Sequence, residues 1–256
     1  MKPVQFTSRG QIVYGWAHPP VCAGRAPVLV LCHGFTGNAA ESARKFVRLA
    51  VCAAAMGYYV LRFDCLGSGN SALSFAEYTT ISGWVEDQQA AVRFAASQPE
   101  ADASRIAILG HSMGGAAALL TAAMPEIRSA VLWSPAADAA NVFRGITGEA
   151  LWQALLHADR PLEGSFGGEP FTLTRRFAGE LEAVDLYAAP AACPGKPMLV
   201  IQGAEDAVVP PESTERLRAR WPAQIEYHLL EGEEHDLNCR TAEVFNLTLD
   251  FLRRTL

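Results

Sequence analysis

The stretch RIAILGHSMGGAAA, Arg105 to Ala118, constrains this chain more than any other. Ile106 to Leu109 is an apolar run with the length of a buried parallel strand, and Ala116 to Ala123 reads as helix. Between them lies Gly110-His111-Ser112-Met113-Gly114, a G-x-S-x-G pattern at a strand-to-helix turn. The residue at so sharp a corner takes strained backbone angles, and glycines flank it because a Cβ there would strike neighbouring backbone. The turn lifts the Ser112 hydroxyl above the strand end, while the helix behind it aims N–H groups and partial positive charge at the same spot. Small residues at this spacing also let a helix pack closely on a strand, but a strand before and a helix after favour a nucleophile. That reading requires a base and an acid elsewhere.

The rest of the chain alternates strands and helices. Val4 to Thr7 and Gln11 to Ala17 read as an antiparallel edge hairpin, followed by strands at Pro27 to Cys32, Tyr58 to Phe63, Ala130 to Trp133, Pro197 to Gln202 and Ile225 to Leu230. Helical spacing covers Glu41 to Met56, Gly83 to Gln98, Pro211 to Arg220 and Thr241 to Arg254. This order is the signature of a mostly parallel sheet covered on both faces, here with eight strands counting the one before Ser112. The 256 residues suffice for one α/β domain, 1–256, with a sizeable core. Ser134 to Pro190 breaks the pattern with Phe143, Trp152, Phe166, Phe171, Phe177 and several glycines. It offers at most two short helices and reads as an insertion, 134–190, of a length that is usually functional.

Composition excludes some partners. The net charge of −6, without any cluster of Lys and Arg, argues against a nucleic-acid surface. Met1 to Gly10 lacks an apolar signal core, and no run approaches the roughly 18 apolar residues of a membrane span. Cys22, Cys32, Cys52, Cys65, Cys193 and Cys239 form no C-x-x-C pair, and several sit in apolar surroundings, as reduced thiols do. A cytoplasmic home is expected. Asp64 to Ser71, with two glycines, lacks the Lys and the glycine spacing of a phosphate cradle.

A serine hydroxyl needs an imidazole within hydrogen-bond reach, oriented in turn by a carboxylate, and such groups belong on loops at the carboxyl ends of strands. Among six histidines, only His33 and His235 follow strands directly. His235, in Glu231 to Asp236 before the final helix, is the expected base. The acid is expected on the loop after Gln202, where Asp206 is favoured and the adjacent Glu205 is the rival; Asp236 reads as a solvated neighbour.

The chain resembles the α/β-hydrolases, and more narrowly the cinnamoyl and feruloyl esterases of bacteria. The residues that carry the resemblance are His33 to Asn38, Asp64 with Gly67, Gly69 and Ser71, Gly110 to Gly115, Ser134 to Ala137, Gly203 with Asp206, and Gly232 with His235. It implies an α/β-hydrolase fold with an inserted lid at 134–190. It also implies the chain order Ser, Asp, His for the catalytic groups, with Ser112, Asp206 and His235 in those places. The oxyanion donors are then the backbone N–H groups of Phe35 and Met113, while His33 serves to fix its loop. The implied activity is hydrolysis of hydroxycinnamic esters without metal or cofactor, the insertion's aromatics forming a slot and Asp138 and Asn141 contacting the substrate. Monoacylglycerol lipases and thioesterases share much of this frame, so an aliphatic acyl group stays open, as does a non-catalytic ligand-binding version of the fold. The expected partner is a small ester; whether two copies form a homodimer stays open. One departure from the common D-x-R-G-x-G pattern is Cys65-Leu66 before Gly67, which implies that the loop after Asp64 is held differently.

Overall fold

The computed structural model describes residues 1–21, 24–71 and 73–256, so Cys22 lies outside the described residues. The strands are β1 (Lys2–Ser8), β2 (Gln11–His18), β3 (Ala26–Cys32), β4 (Tyr59–Phe63), β5 (Ala101–His111), β6 (Ile127–Trp133), β7 (Leu162–Phe166), β8 (Glu169–Leu173), β9 (Met198–Gly203) and β10 (Ile225–Leu230). Eight of them form one sheet in the order β1-β2-β4-β3-β5-β6-β9-β10. From β4 to β10 the neighbours run parallel, and the β1–β2 hairpin joins the edge antiparallel through β2 and β4.

The central strands are apolar on both faces because both are covered. Val28, Val30, Ile106 and Ile108 point into one apolar layer with Trp84, Val92 and Ala116 to Leu119. These belong to α3 (Ile81–Ala96) and α4 (Met113–Thr121), which follow the short α1 (Lys45–Ala55) and α2 (Phe75–Tyr78) in the chain. Leu29, Leu31, Ala107 and Leu109 point into the opposite layer with Phe46 and Leu49 of α1.

The insertion holds more structure than the sequence reading allowed: α5 (Ala139–Thr147), α6 (Glu149–His157), the separate β7–β8 hairpin and α7 (Arg175–Ala183). Gly145 and Gly148 hid the break between two consecutive helices, and the hairpin turns on Gly167 and Gly168, with φ of 59° and 86°. The domain closes with α8 (Pro211–Arg220) and α9 (Thr241–Thr255), the latter supplying Val244, Leu249 and Leu252 to the second layer. Among the described residues, no helix is long and apolar enough to cross a membrane.

Two local features set up the upper rim of the sheet. The helix expected from Glu41 starts only at Lys45, because Glu41, Ala43 and Arg44 take φ of 60°, 48° and 55°. The loop after Asp64 is secured by carboxylates: Asp64 accepts from the N–H groups of Ala39 (2.6 Å) and Asn70 (2.8 Å), and Asp87 from that of Leu66 (3.0 Å). Cys65 is fully buried there and burial pushes its thiol up, in keeping with a packing role.

At the β5–α4 corner, Ser112 has φ 55° and ψ −119°. A Cβ on Gly110 would run into the carbonyl oxygen of Gly114, and one on Gly114 into those of His33 and Cys32. Gly110→Ala should therefore cost about 1–3 kcal/mol, the usual scale of forced overpacking. Denaturant midpoints check this; an unchanged midpoint would mean the corner is looser than described.

Candidate active site

Three loops at the carboxyl ends of β5, β9 and β10 bring Ser112, Asp206 and His235 together. His235 Nε2 lies 3.0 Å from Ser112 Oγ, and His235 Nδ1 lies 2.8 Å from Asp206 Oδ2. Asp206 is buried and takes the remainder of its bonds from the N–H groups of Val208 (2.9 Å) and Val209 (2.7 Å) and from the Gln202 amide (2.9 Å). Burial pushes its carboxyl up, but the hydrogen bond and charge of His235 and these N–H donors outweigh it, so the group stays below the ordinary carboxylate range. Glu205, the rival, is exposed. Asp236 keeps half its side chain in solvent and accepts from Ser42 Oγ at 3.0 Å. With the acid ionised and the imidazole held by Nδ1–H, Nε2 is left free to take the Ser112 proton.

The loop after β3 runs alongside. A Cβ on Gly34 would lie 3.4 Å from Ser112 Cβ, which places the next residue, Phe35, at the rim of the same cleft. Among the described residues the Phe35 N–H has no protein acceptor, and that of Met113 opens α4, where the first N–H groups have no intrahelical partner. His33 is wholly buried; its Nδ1 bonds the Gly34 carbonyl (2.8 Å) and its Nε2 accepts from the Cys65 N–H (3.1 Å).

A pocket of about 480 Å³ opens here, walled by Phe35, Ser112, His235, Ile146, Phe166 and Glu169. Of the insertion's six aromatics, Tyr187 included, only Phe166 reaches it. Phe143, Trp152, Phe171 and Phe177 are buried; Phe143 and Phe171 pack on Phe35 at centroid distances of 4.9 and 5.3 Å. Phe143, Phe171 and Phe177 bind the insertion to the Phe35 loop instead of lining a slot, and Trp152 donates to Glu182 within the insertion at 2.7 Å. Asp138 and Asn141 stand apart from Ser112, in a neighbouring pocket of about 370 Å³ that shares only Ile146 and Phe166 with the first. There Asn141 donates to Asp138 (3.0 Å), and Arg216 lies 3.6 Å from it.

Some neighbours of the site carried no readable signal. Gln202 sits inside an apolar strand, yet its amide bridges Asp206 and the Val209 carbonyl (3.1 Å). Glu233 is buried and receives the N–H groups of Cys239 and Arg240, which folds the His235 loop onto itself. His111 and Glu41 pair at 3.2 Å behind His235. Glu41, His111 and Asp236 present ligand atoms within 4.8 Å of one another, but the Lys45 ammonium lies 3.8 Å from Asp236 and already supplies positive charge.

Residues 29–245 match the model of the alpha/beta hydrolase family. The chain belongs to this family. An uncharacterised protein of Mycobacterium tuberculosis is 27% identical over 230 residues, covering 90% of this chain and 70% of that one. Among solved structures, Est1E of Butyrivibrio proteoclasticus with ferulic acid bound superposes with TM-score 0.81 at 21% identity, covering 98% of each chain. The esterase domain of a Rhodothermus marinus protein gives TM-score 0.75 at 25% identity, covering 99% of this chain and 98% of that one. This is thus an alpha/beta hydrolase with esterases among its structural neighbours.

Burial raises the Glu41 carboxyl, but the charge and hydrogen bond of His111, and then Lys45, hold it down at about 2, against 4.5 when free. A depressed carboxyl adds stability above its unfolded value and loses it as pH falls toward the folded value. Unfolding measured between pH 4.5 and 2 should therefore fall less steeply in Glu41→Gln than in the wild type. Parallel curves would show that Glu41 is not held ionised.

Proposed function

We propose that the chain is a serine carboxylesterase hydrolysing esters of hydroxycinnamic acids, of the feruloyl and cinnamoyl type, through an acyl-enzyme. The observation that carries the reading is the continuous line of hydrogen bonds from Asp206 through His235 to Ser112, at 2.8 and 3.0 Å. In this mechanism Ser112 Oγ attacks the ester carbonyl as His235 Nε2 takes its proton. Asp206 stabilises the imidazolium, and the N–H groups of Phe35 and Met113 hold the oxyanion. His235 returns the proton to the leaving alkoxide, and a water activated by the same imidazole releases the acid. The segment 134–190 acts as the lid, its Phe166 and Ile146 flanking the acyl group. The apolar part of the pocket around these side chains and the likeness to a ferulic-acid-bound fold support an aromatic acid.

Ser112→Ala should lower kcat by about six orders of magnitude, the scale of losing a serine-hydrolase nucleophile; retention of more than a few per cent would exclude this role. Asp206→Asn should cost about 10⁴ in kcat, and Glu205→Gln about nothing. The reverse result would move the acid to Glu205. For the substrate, methyl ferulate is compared with p-nitrophenyl esters of rising chain length. Rates that climb beyond about eight carbons would assign an aliphatic acyl group instead, since each added methylene then contributes binding.

A further inference from the structure

Close behind the reacting groups lies a carboxylate that this mechanism does not use. Glu41 has φ 60° and ψ 167°, a backbone conformation that a residue with a side chain keeps only when its surroundings hold it there. Its side chain is 6% exposed. Oε2 accepts the Gly34 N–H at 2.9 Å, and Oε1 meets His111 Nδ1 at 3.2 Å. His111 Nε2 in turn lies 3.1 Å from the main-chain carbonyl of His235. The next carbonyl, that of Asp236, accepts from the buried Lys45 ammonium. One carboxylate thus links the loop that carries Phe35, the residue before Ser112 and the backbone of His235.

We propose that Glu41 and His111 are positioning residues that fix the His235 ring and the Phe35 amide relative to Ser112. The proposal rests on the esterase reading above. Neither residue takes or gives a proton to the substrate; they set the distances across which that transfer occurs.

The protons on His111 make the proposal specific. Its two partners, a carboxylate and a carbonyl, are both acceptors, so both contacts are hydrogen bonds only while each ring nitrogen carries a proton. The charged and titratable groups facing the ring are Glu41, Lys45, His235 and Asp236. Burial and the Lys45 ammonium work against the second proton and lower the ring's pKa, while Glu41 favours it. In Glu41→Gln the link survives with a neutral ring. The new amide donates to Nδ1, its oxygen accepts from Gly34, and Nε2–H still serves the His235 carbonyl. Glu41→Ala and His111→Phe break the link outright.

Rates are measured on methyl ferulate per active site titrated with a fluorophosphonate probe, so that unfolded protein drops out. Glu41→Ala and His111→Phe should each lower kcat about 10- to 100-fold with KM within about threefold, the effect of displaced reacting groups. The double variant should be no worse than the poorer single one, because both cut one link. Glu41→Gln should keep more than about a third of kcat. Should Glu41→Ala fail to fold, His111→Asn, too short to span both partners, carries the same expectation. The proposal is overturned if the disrupting variants stay within about twofold of wild-type kcat, or if Glu41→Gln loses as much as Glu41→Ala. Wild-type protein that takes up no probe would instead sink the esterase reading, and this proposal with it.

Discussion

The site depends on how closely one helix crosses one strand. Ser112 occupies φ 55° because α4 leaves the end of β5 at a distance that only glycine tolerates, with Gly110 against Gly114 and Gly114 against the ends of β3. Strain of this kind costs on the order of 1–3 kcal/mol per residue and persists only where surrounding structure over-determines it. Here it is held by the sheet on one side and by backbone bonds on the other: the Ser112 N–H donates to Trp133 O at 2.9 Å, and Ser112 O accepts from Ala136 at 3.1 Å. The serine therefore stands where the core puts it.

Its partners are placed differently. Asp206 and His235 sit on loops, and loops need their own fixings. The acid loop is pinned by Gln202 and by two backbone N–H groups, and its Glu205 N–H donates to the Glu233 carbonyl at 2.9 Å, which couples it to the histidine loop. Beneath the histidine loop lies the buried set Glu41, Lys45, His111 and Glu233. Burying so many charges is tolerable only because each is spent on a counter-charge or on backbone groups that would otherwise be orphaned.

Much of this was legible from the residues. Unbroken apolar runs announced the parallel strands, the G-x-S-x-G turn pointed to Ser112, and loop positions after strands pointed to His235 and to Asp206 with Glu205 as its rival. The insertion was under-read. Gly167-Gly168 is a hairpin turn signal, but the flanking segments hold Pro170 and little β-branched character, so the period-2 pattern was faint. The start of α1 was misplaced because Glu41 departs from helix to reach Gly34 and His111, a long-range demand that local spacing cannot encode. His111 was overlooked for the same reason: its importance comes from the His235 carbonyl, 124 residues away. The family resemblance implied that the insertion's aromatics form a substrate slot, whereas Phe143, Phe171 and Phe177 pack against Phe35 and Phe166 alone among them reaches the pocket beside Ser112.

The central claim is that Ser112, His235 and two backbone N–H groups face one reacting carbon. A crystal structure of the enzyme phosphonylated by a small fluorophosphonate tests it most directly. The account predicts phosphorus bonded to Ser112 Oγ, with its oxygen within hydrogen-bond distance of the amides of Phe35 and Met113 and His235 Nε2 beside Oγ. Phosphorus on another side chain, or an oxygen turned away from both amides, would contradict it.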